Sequence, residues 1–315
     1  MKQTSLDIVI VNWNSGDYLQ KCIDSISLID TTDINLNIFI IDNASSNNFM
    51  SSVDGIDLPI TVMNNSINVG FGAACNQAAS IGNSEYILFL NPDTTLFSNS
   101  LTIPLEFMNT NEAKKVGVCG IQLLDENNIA RSCARFPTFT TLISTTLGIN
   151  YLFNRHWSSY IMFEWDHKDS RPVDHVIGAF YLIRRSLFKQ LGGFDKKFFV
   201  YLEDIDLSYR ASQLGWSSYY LSNVQAFHKG GGTSEQIKAT RLFYSIRSKI
   251  IYSYKHLNTF KATFILLISL FFEPFARIFL SLKNLSLVQF NETLSAYKKL
   301  FMNLKDIYFL IRKHN

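Results

Sequence analysis

The sequence predicts an α/β protein, an open sheet with helical crossovers, followed by a basic helical tail. Three observations carry that expectation. Short apolar runs of strand type alternate with stretches of helical periodicity through roughly the first 120 residues, the pattern of strands joined by helices. Polar residues cluster just after those runs, where ligands of open α/β sheets bind. Charge divides the chain: from residue 236 onward 13 Lys and Arg face Glu273, Glu292 and Asp306, a local +10, leaving 16 basic against 23 acidic residues, or −7, for 1–235. The expected domains are therefore 1–235 and 236–315.

With 315 residues and 47% apolar content, the chain has material for a substantial core, which excludes a disordered protein. The four cysteines, Cys22, Cys75, Cys119 and Cys133, form no CxxC pair. That argues against a zinc site or a disulfide framework and fits a reducing compartment. The opening MKQTSLDIVIVNW has too short an apolar run for a signal peptide, so the expected location is cytoplasmic.

In chain order, residues 6–11 read as a strand, and 17–28 as a helix with Leu19, Cys22, Ile23 and Ile26 on one face. Residues 37–41 read as a second strand ending in Asp42 and Asn43. A polar stretch leads to Val69, Gly70, Phe71 and Gly72 and a helix of small residues to 79. Residues 86–90 are a third strand, ending in Asn91-Pro92-Asp93. Asn12, Asn14, Asp42, Asn43, Asn68, Asn76, Asn91 and Asp93 would gather on one rim, suited to a base, a ribose or a sugar. GFGAAC at 70–75 has Cys where a dinucleotide fingerprint wants Gly or Ala and follows no strong strand, so an NAD-type oxidoreductase is weakly supported. There is no GxxxxGK[ST] loop, which excludes a P-loop nucleotide triphosphatase.

Residues 184–191 read as a short helix ended by Gly192 and Gly193. After them Glu203, Asp204 and Asp206 crowd the start of another helix, whose pattern closes at Gly215. Each alone fits a helix cap; together, just after Phe198, Phe199 and Tyr201, one can cap while another is held as a general base. Asp93 is either a turn-capping residue or a ligand for Mg²⁺ or Mn²⁺ that also holds a diphosphate. His228, in the glycine-rich FHKGGGTS, is either structural or an imidazole ligand suited to Mn²⁺.

The ordered set IVNWNSGDYLQKCIDSI, IIDNASSN, NVGFGAACNQA, YILFLNPDTTL, GAFYLIRRSLFKQLGGFDKKFFVYLEDIDLSYRASQLGW and FHKGGGTS resembles family 2 glycosyltransferases of the GT-A fold. More narrowly it resembles their bacterial rhamnosyltransferase branch, where the metal motif is usually N-P-D, and Arg135-Phe136-Pro137-Thr138 matches a further segment of that branch. The likeness covers about residues 5 to 256. It implies a Rossmann-like mixed sheet flanked by helices over 1–235, carrying inverting sugar transfer from a dTDP- or UDP-sugar. It also implies that Asp42 meets the nucleobase, that Asn68, Gly70 and Asn76 line the nucleotide and sugar site, and that Asp93 and His228 hold Mn²⁺ or Mg²⁺. Asp204 would be the base, with Glu203 and Asp206 holding the acceptor or orienting the loop. Asn91 stands where many relatives carry a first acid, so the metal shell has one charge fewer.

The tail adds an expectation about partners. The apolar run 262–272 is shorter than the ~20 residues that a spanning helix needs. Basic, aromatic and intermittently apolar, the tail reads either as a segment lying on an anionic membrane face or as a buried helical hairpin with a solvated basic side. The first reading suits a glycan acceptor linked to polyprenyl diphosphate in surface polysaccharide synthesis, at the inner face of the cell membrane. Nucleic acid is not expected as a partner, since no reading motif accompanies the charge. A nucleotide-sugar-binding scaffold without turnover is the other function class in view.

Overall fold

The computed structural model describes residues 3–46, 53, 55–128, 132–149, 160, 162, 165–231 and 237–312. Residues 232–236, which hold the end of FHKGGGTS and the expected domain boundary, lie outside the described residues, as does Asn47 at the end of IIDNASSN. The chain forms two compact units: one of 1–135, 165–196 and 203–233, the other of 136–164, 197–202 and 234–315.

The first unit is a mixed sheet with helices. In chain order it contains β1 (Thr4–Asn12), α1 (Asp17–Ser27), β2 (Ile34–Asp42), β3 (Ile60–Asn64), α2 (Phe71–Ile81), β4 (Tyr86–Leu90), β5 (Thr94–Leu96), α3 (Thr102–Met108), β6 (Val116–Leu124) and β7 (Cys133–Ala134). The second unit contributes α4 (Phe139–Thr146) to the chain order. The first then resumes with β8 (Arg171–Val173), β9 (His175–Val176), β10 (Phe180–Arg184), α5 (Arg185–Gln190), α6 (Glu203–Gln213) and β11 (Ser217–His228).

Eight strands lie in the order β3-β2-β1-β4-β10-β6-β11-β5, with β8 beside β11 as the ninth; β7 and β9 pair separately. β1 is parallel to β2 and β4, and β2 to β3. β10 runs against both β4 and β6. The core follows from the apolar runs: Leu6, Ile8 and Ile10 of β1, Ile38 and Ile40 of β2, and Leu88 and Leu90 of β4 are buried with Leu19, Cys22, Ile23 and Ile26 of α1. A buried pair, Arg185 and Asp7, ties the start of α5 to β1, with Arg185 Nη1 also donating to Ala79 O at 2.7 Å.

The second unit is helical, with α4 joined by α7 (Lys238–His256), α8 (Thr259–Phe271), α9 (Glu273–Lys283), α10 (Leu287–Met302) and α11 (Leu304–Arg312). Asn258 caps α8 by accepting from Lys261 N at 2.9 Å, and Ser286 caps α10 by accepting from Gln289 N at 3.2 Å. Glu273, buried at the start of α9, takes Lys249 Nζ at 2.6 Å and Arg277 Nη2 at 2.8 Å. Those two cations outweigh burial and hold its carboxyl below the usual range. Phe199 stacks on Tyr244 at 4.4 Å, and Arg241 donates to the Tyr201 hydroxyl. Among the described residues no single helix is long and apolar enough to cross a membrane; α8 and α9 pass that test together but meet at a 41° bend.

Candidate active site

Because β1, β2 and β4 are parallel and in register, with Asn12 opposite Asp42 and Ile10 opposite Leu90, their carboxyl ends share one edge. Asn12 Nδ2 donates to Asp42 Oδ1 at 2.8 Å, and Asp42 Oδ2 accepts from Ser45 N at 3.0 Å. Asn12 Oδ1 is buried without a hydrogen-bond partner, at a cost of about 1–3 kcal/mol that a ligand donor would relieve. Asn14, in the left-handed region at φ 53°, accepts from Ser46 N at 2.8 Å. Asn43 clamps the next loop: it donates to Asn68 Oδ1 at 2.9 Å and accepts from Val69 N at 3.0 Å. Asn68 in turn accepts from Gly70 N at 2.9 Å, which sets Gly70 (φ 88°) before the first turn of α2.

Asn76 is placed differently. Its amide donates to Phe194 O at 2.8 Å and accepts from Phe194 N at 2.9 Å, so it fastens the Gly193–Phe194 turn with one N–H and one lone pair. Phe194 packs its ring 4.8 Å from that of Phe89, which seats the turn on the sheet.

The Asn91-Pro92-Asp93 turn and the end of β11 are brought together by strand pairing, His228 opposite Thr94. Asp93 is buried, and its Oδ1 lies 3.3 Å from His228 Nε2. That nitrogen is buried and makes no hydrogen bond. No group of three or more His, Cys, Asp or Glu side chains able to hold a metal occurs among the described residues. A carboxylate and an imidazole with an unsatisfied ring nitrogen nevertheless fit a hard divalent ion that takes its remaining ligands from water and substrate phosphates.

The three acids at the start of α6 separate into three roles. Asp206 is fully buried and accepts from Arg210 Nε at 2.8 Å, while Arg210 donates to Leu191 O and Gly193 O. Of the two expected roles, acceptor contact is closed to it and orienting the glycine loop is open. Glu203 is buried, with Oε2 unpartnered. Burial pushes its carboxyl well above the usual range, and the charges of Asp204 and Asp206 push the same way. Asp204 stays partly exposed. Its Oδ2 accepts from Gly178 N at 2.8 Å, its Oδ1 from Ile205 N at 2.8 Å, and His175 Nε2 stands 3.4 Å from Oδ2. Burial raises this carboxyl, but the facing imidazole and the two N–H groups outweigh it and hold it below its ordinary value. Asp204 is thus the acid of the three that combines access with a stabilised charge.

Both turns hang on the start of β10. Gly178 holds Asp204, and Ala179 O accepts from Asn91 N at 3.0 Å. A Cβ at Gly178 would stand 3.0 Å from Asp204 Oδ2, so any larger residue there would press on the carboxylate and shift it by a few tenths of an ångström. His175 and Ser208 escaped sequence reasoning: a lone histidine and a mid-helix serine carry no spacing signal, and the fold alone makes them neighbours.

The sequence model of Glycosyl transferase family 2 matches residues 7–192. The chain belongs to this family. The glycosyltransferase is 25% identical over 260 residues to N-acetylglucosaminyl-diphospho-decaprenol L-rhamnosyltransferase of Mycobacterium tuberculosis, covering 78% of this chain and 83% of the relative. It is 27% identical over 230 residues to rhamnosyltransferase WbbL of Escherichia coli, covering 70% and 82%. In fold it matches a mannosyltransferase of Pyrobaculum calidifontis solved with GDP-Man and Mn²⁺, with a TM-score of 0.56 and 13% identity over 94% of this chain and 86% of that one. The glycosyltransferase therefore acts in glycan synthesis on a GT-A scaffold, and the oxidoreductase reading falls away.

Proposed function

We propose that the enzyme moves rhamnose, with inversion, from dTDP-rhamnose to a glycan acceptor on polyprenyl diphosphate, in surface polysaccharide assembly of the O-antigen or capsule type. The sugar is suggested by the two rhamnosyltransferases it resembles, and the acceptor by the name of the mycobacterial one. The observation that carries the chemistry is the shared anchor: Gly178 holds Asp204 and Ala179 holds the Asn91 turn, so base and diphosphate site are built on one strand start.

In this reading the acceptor oxygen forms a bond to the anomeric carbon while its proton passes to Asp204. The bond from that carbon to the diphosphate oxygen breaks, and the electron pair leaves with the nucleoside diphosphate. Asp42 meets the base of the nucleotide, with Asn12, Asn14, Asn68 and Gly70 shaping the loops around it. Asp93 and His228 would hold Mn²⁺ or Mg²⁺, which when bound supplies positive charge for the departing diphosphate.

The second unit supports the membrane part of the proposal. Phe271, Phe272, Phe275 and Phe279 are exposed around the junction of α8 and α9, with Leu285 92% exposed beyond it. Rings left in water on a segment whose sequence is strongly basic suit an anionic bilayer face. We therefore place the enzyme peripherally on the inner face of the cell membrane.

The deciding experiment measures nucleoside diphosphate release and transfer from a panel of dTDP-, UDP- and GDP-sugars, with Mn²⁺, Mg²⁺ or EDTA. The expected result is metal-dependent turnover of dTDP-rhamnose, lost in Asp93→Ala. Asp204→Asn should lower transfer roughly 10²- to 10⁴-fold while the donor still binds. Turnover of a different donor overturns the sugar, EDTA-resistant turnover overturns the metal, and donor binding without turnover by the wild type under any condition returns the scaffold reading.

A further inference from the structure

His175 is almost fully buried, 1% exposed, yet it faces the one partly open acid of the α6 cluster. Its Nδ1 lies 3.1 Å from Ser208 Oγ, and Ser208 Oγ lies 2.8 Å from the Tyr181 hydroxyl. Tyr181 and Ser208 are buried as well. Three buried polar groups thus run in a line that ends on Asp204 Oδ2.

For a neutral imidazole, counting hydrogens favours one orientation. If Tyr181 donates to Ser208 and Ser208 donates to Nδ1, the neutral imidazole carries its hydrogen on Nε2 and directs it at the carboxylate. In the reverse orientation Nδ1–H donates to Ser208 and Ser208 to Tyr181. The tyrosine hydrogen is then stranded in the core, and an imidazole lone pair meets a carboxylate lone pair. Burial pushes the Tyr181 hydroxyl well above its ordinary range, so it stays a donor. The 3.4 Å separation between Nε2 and Oδ2 is long for a hydrogen bond.

We propose that His175 is a positioning residue for Asp204, with its Nε2–H aimed at Oδ2 by a donor chain that starts at the Tyr181 hydroxyl. This rests on the reading of Asp204 as the base. A carboxylate offers about four lone-pair sites. Gly178 N, Ile205 N and His175 Nε2 face three of them, leaving one for the acceptor hydroxyl. The chain therefore sets which lone pair takes the proton, and His175 itself does not touch substrate. The other ionisable groups around the carboxylate are Glu203, Asp206 and Arg210 on its own helix and Tyr181 on β10. Removing the imidazole donor makes Asp204 easier to protonate, so the acid limb of the rate profile moves to higher pH.

The test uses the full chain in two ways. Long-range proton–nitrogen NMR on protein labelled with ¹⁵N-histidine, assigned with His175→Gln, reads the tautomer near neutral pH. The expected result is Nε2–H in the wild type, with the Nδ1 resonance shifted in Ser208→Ala and, to a smaller extent, in Tyr181→Phe. In transfer assays with dTDP-rhamnose, His175→Phe should lower kcat roughly tenfold or more with an unchanged donor KM and an upward shift of the acid limb. His175→Gln, whose amide donates from nearly the same place, should recover much of the rate. An Nδ1–H tautomer in the wild type, or a folded His175→Phe with unaltered kcat and acid limb, overturns the proposal. Retained transfer by Asp204→Asn removes the base assignment instead, and the tautomer spectrum still decides whether His175 serves that carboxylate.

Discussion

Glu203 shows how one position off along a helix changes what a carboxyl can do. Asp204 meets N–H donors and keeps its charge; Glu203 meets none at Oε2 and is buried, so its proton is retained above the ordinary value of 4.5. An acid whose folded-state pKa is raised costs stability as pH rises: the unfolded chain releases the proton first, and the folded state falls behind through that window. Glu203→Gln should therefore melt above the wild type at pH 8, with the difference shrinking as pH falls toward about 4.5. A variant that melts lower at pH 8 would show that Glu203 carries a charge the structure does not account for. Removing the Asp206 carboxylate should have the opposite effect on stability. Its Arg210 partner also holds the Gly193 loop, so removing the carboxylate strands a cation and costs roughly 3 kcal/mol or more.

Among the elements, β1, α1 and β4 were legible because each carries one clean signal, an unbroken apolar run or a single helical face, and all three have those residues in the core. The strands after β4 were not. β10 is one short run, Phe180–Arg184, leading straight into α5. β11 is long but its register shifts against β6, which blurs any period of two. Before β4, β3 was not legible either, because it is a half-exposed edge strand. The rim residues Asn12, Asp42 and Asp93 were readable because each follows a legible strand, whereas the His175 chain was not, since it draws on β9, β10 and α6. The fit between β6 and β9 gives a test at this scale. A Cβ at Gly120 would stand 2.6 Å from Val176 Cβ, an atom fixed to the backbone. Gly120→Ala should cost about 1–3 kcal/mol, seen as a lower urea midpoint at unchanged slope. An unchanged midpoint would mean that β9 is free to move, and with it His175.

For the whole molecule, the acidic front and basic tail give each end of the chain its own electrostatic character. The proposed attachment uses the tail's charge for approach and the exposed rings for retention, since burying one such ring contributes about 2 kcal/mol. Flotation with anionic vesicles should bring the full chain to the top of a gradient, less so in high salt, while Phe272→Ser combined with Phe275→Ser and Phe279→Ser stays below. Equal flotation of both proteins would remove the attachment through these rings.

The reversed direction of β10 also has a consequence for how the protein comes to be. Its pairing of Phe180 with Leu90 brings in a strand that is synthesised after β1, β2, β3 and β4, which pair among themselves. Distant pairings are the slow ones, because the intervening chain must first surrender its freedom. A nascent molecule can thus complete its four parallel strands before it gains the strand start that seats Asp204. Secondary-structure signal should return ahead of transfer, and the interval between them is the time the chain takes to bring Phe180 to Leu90.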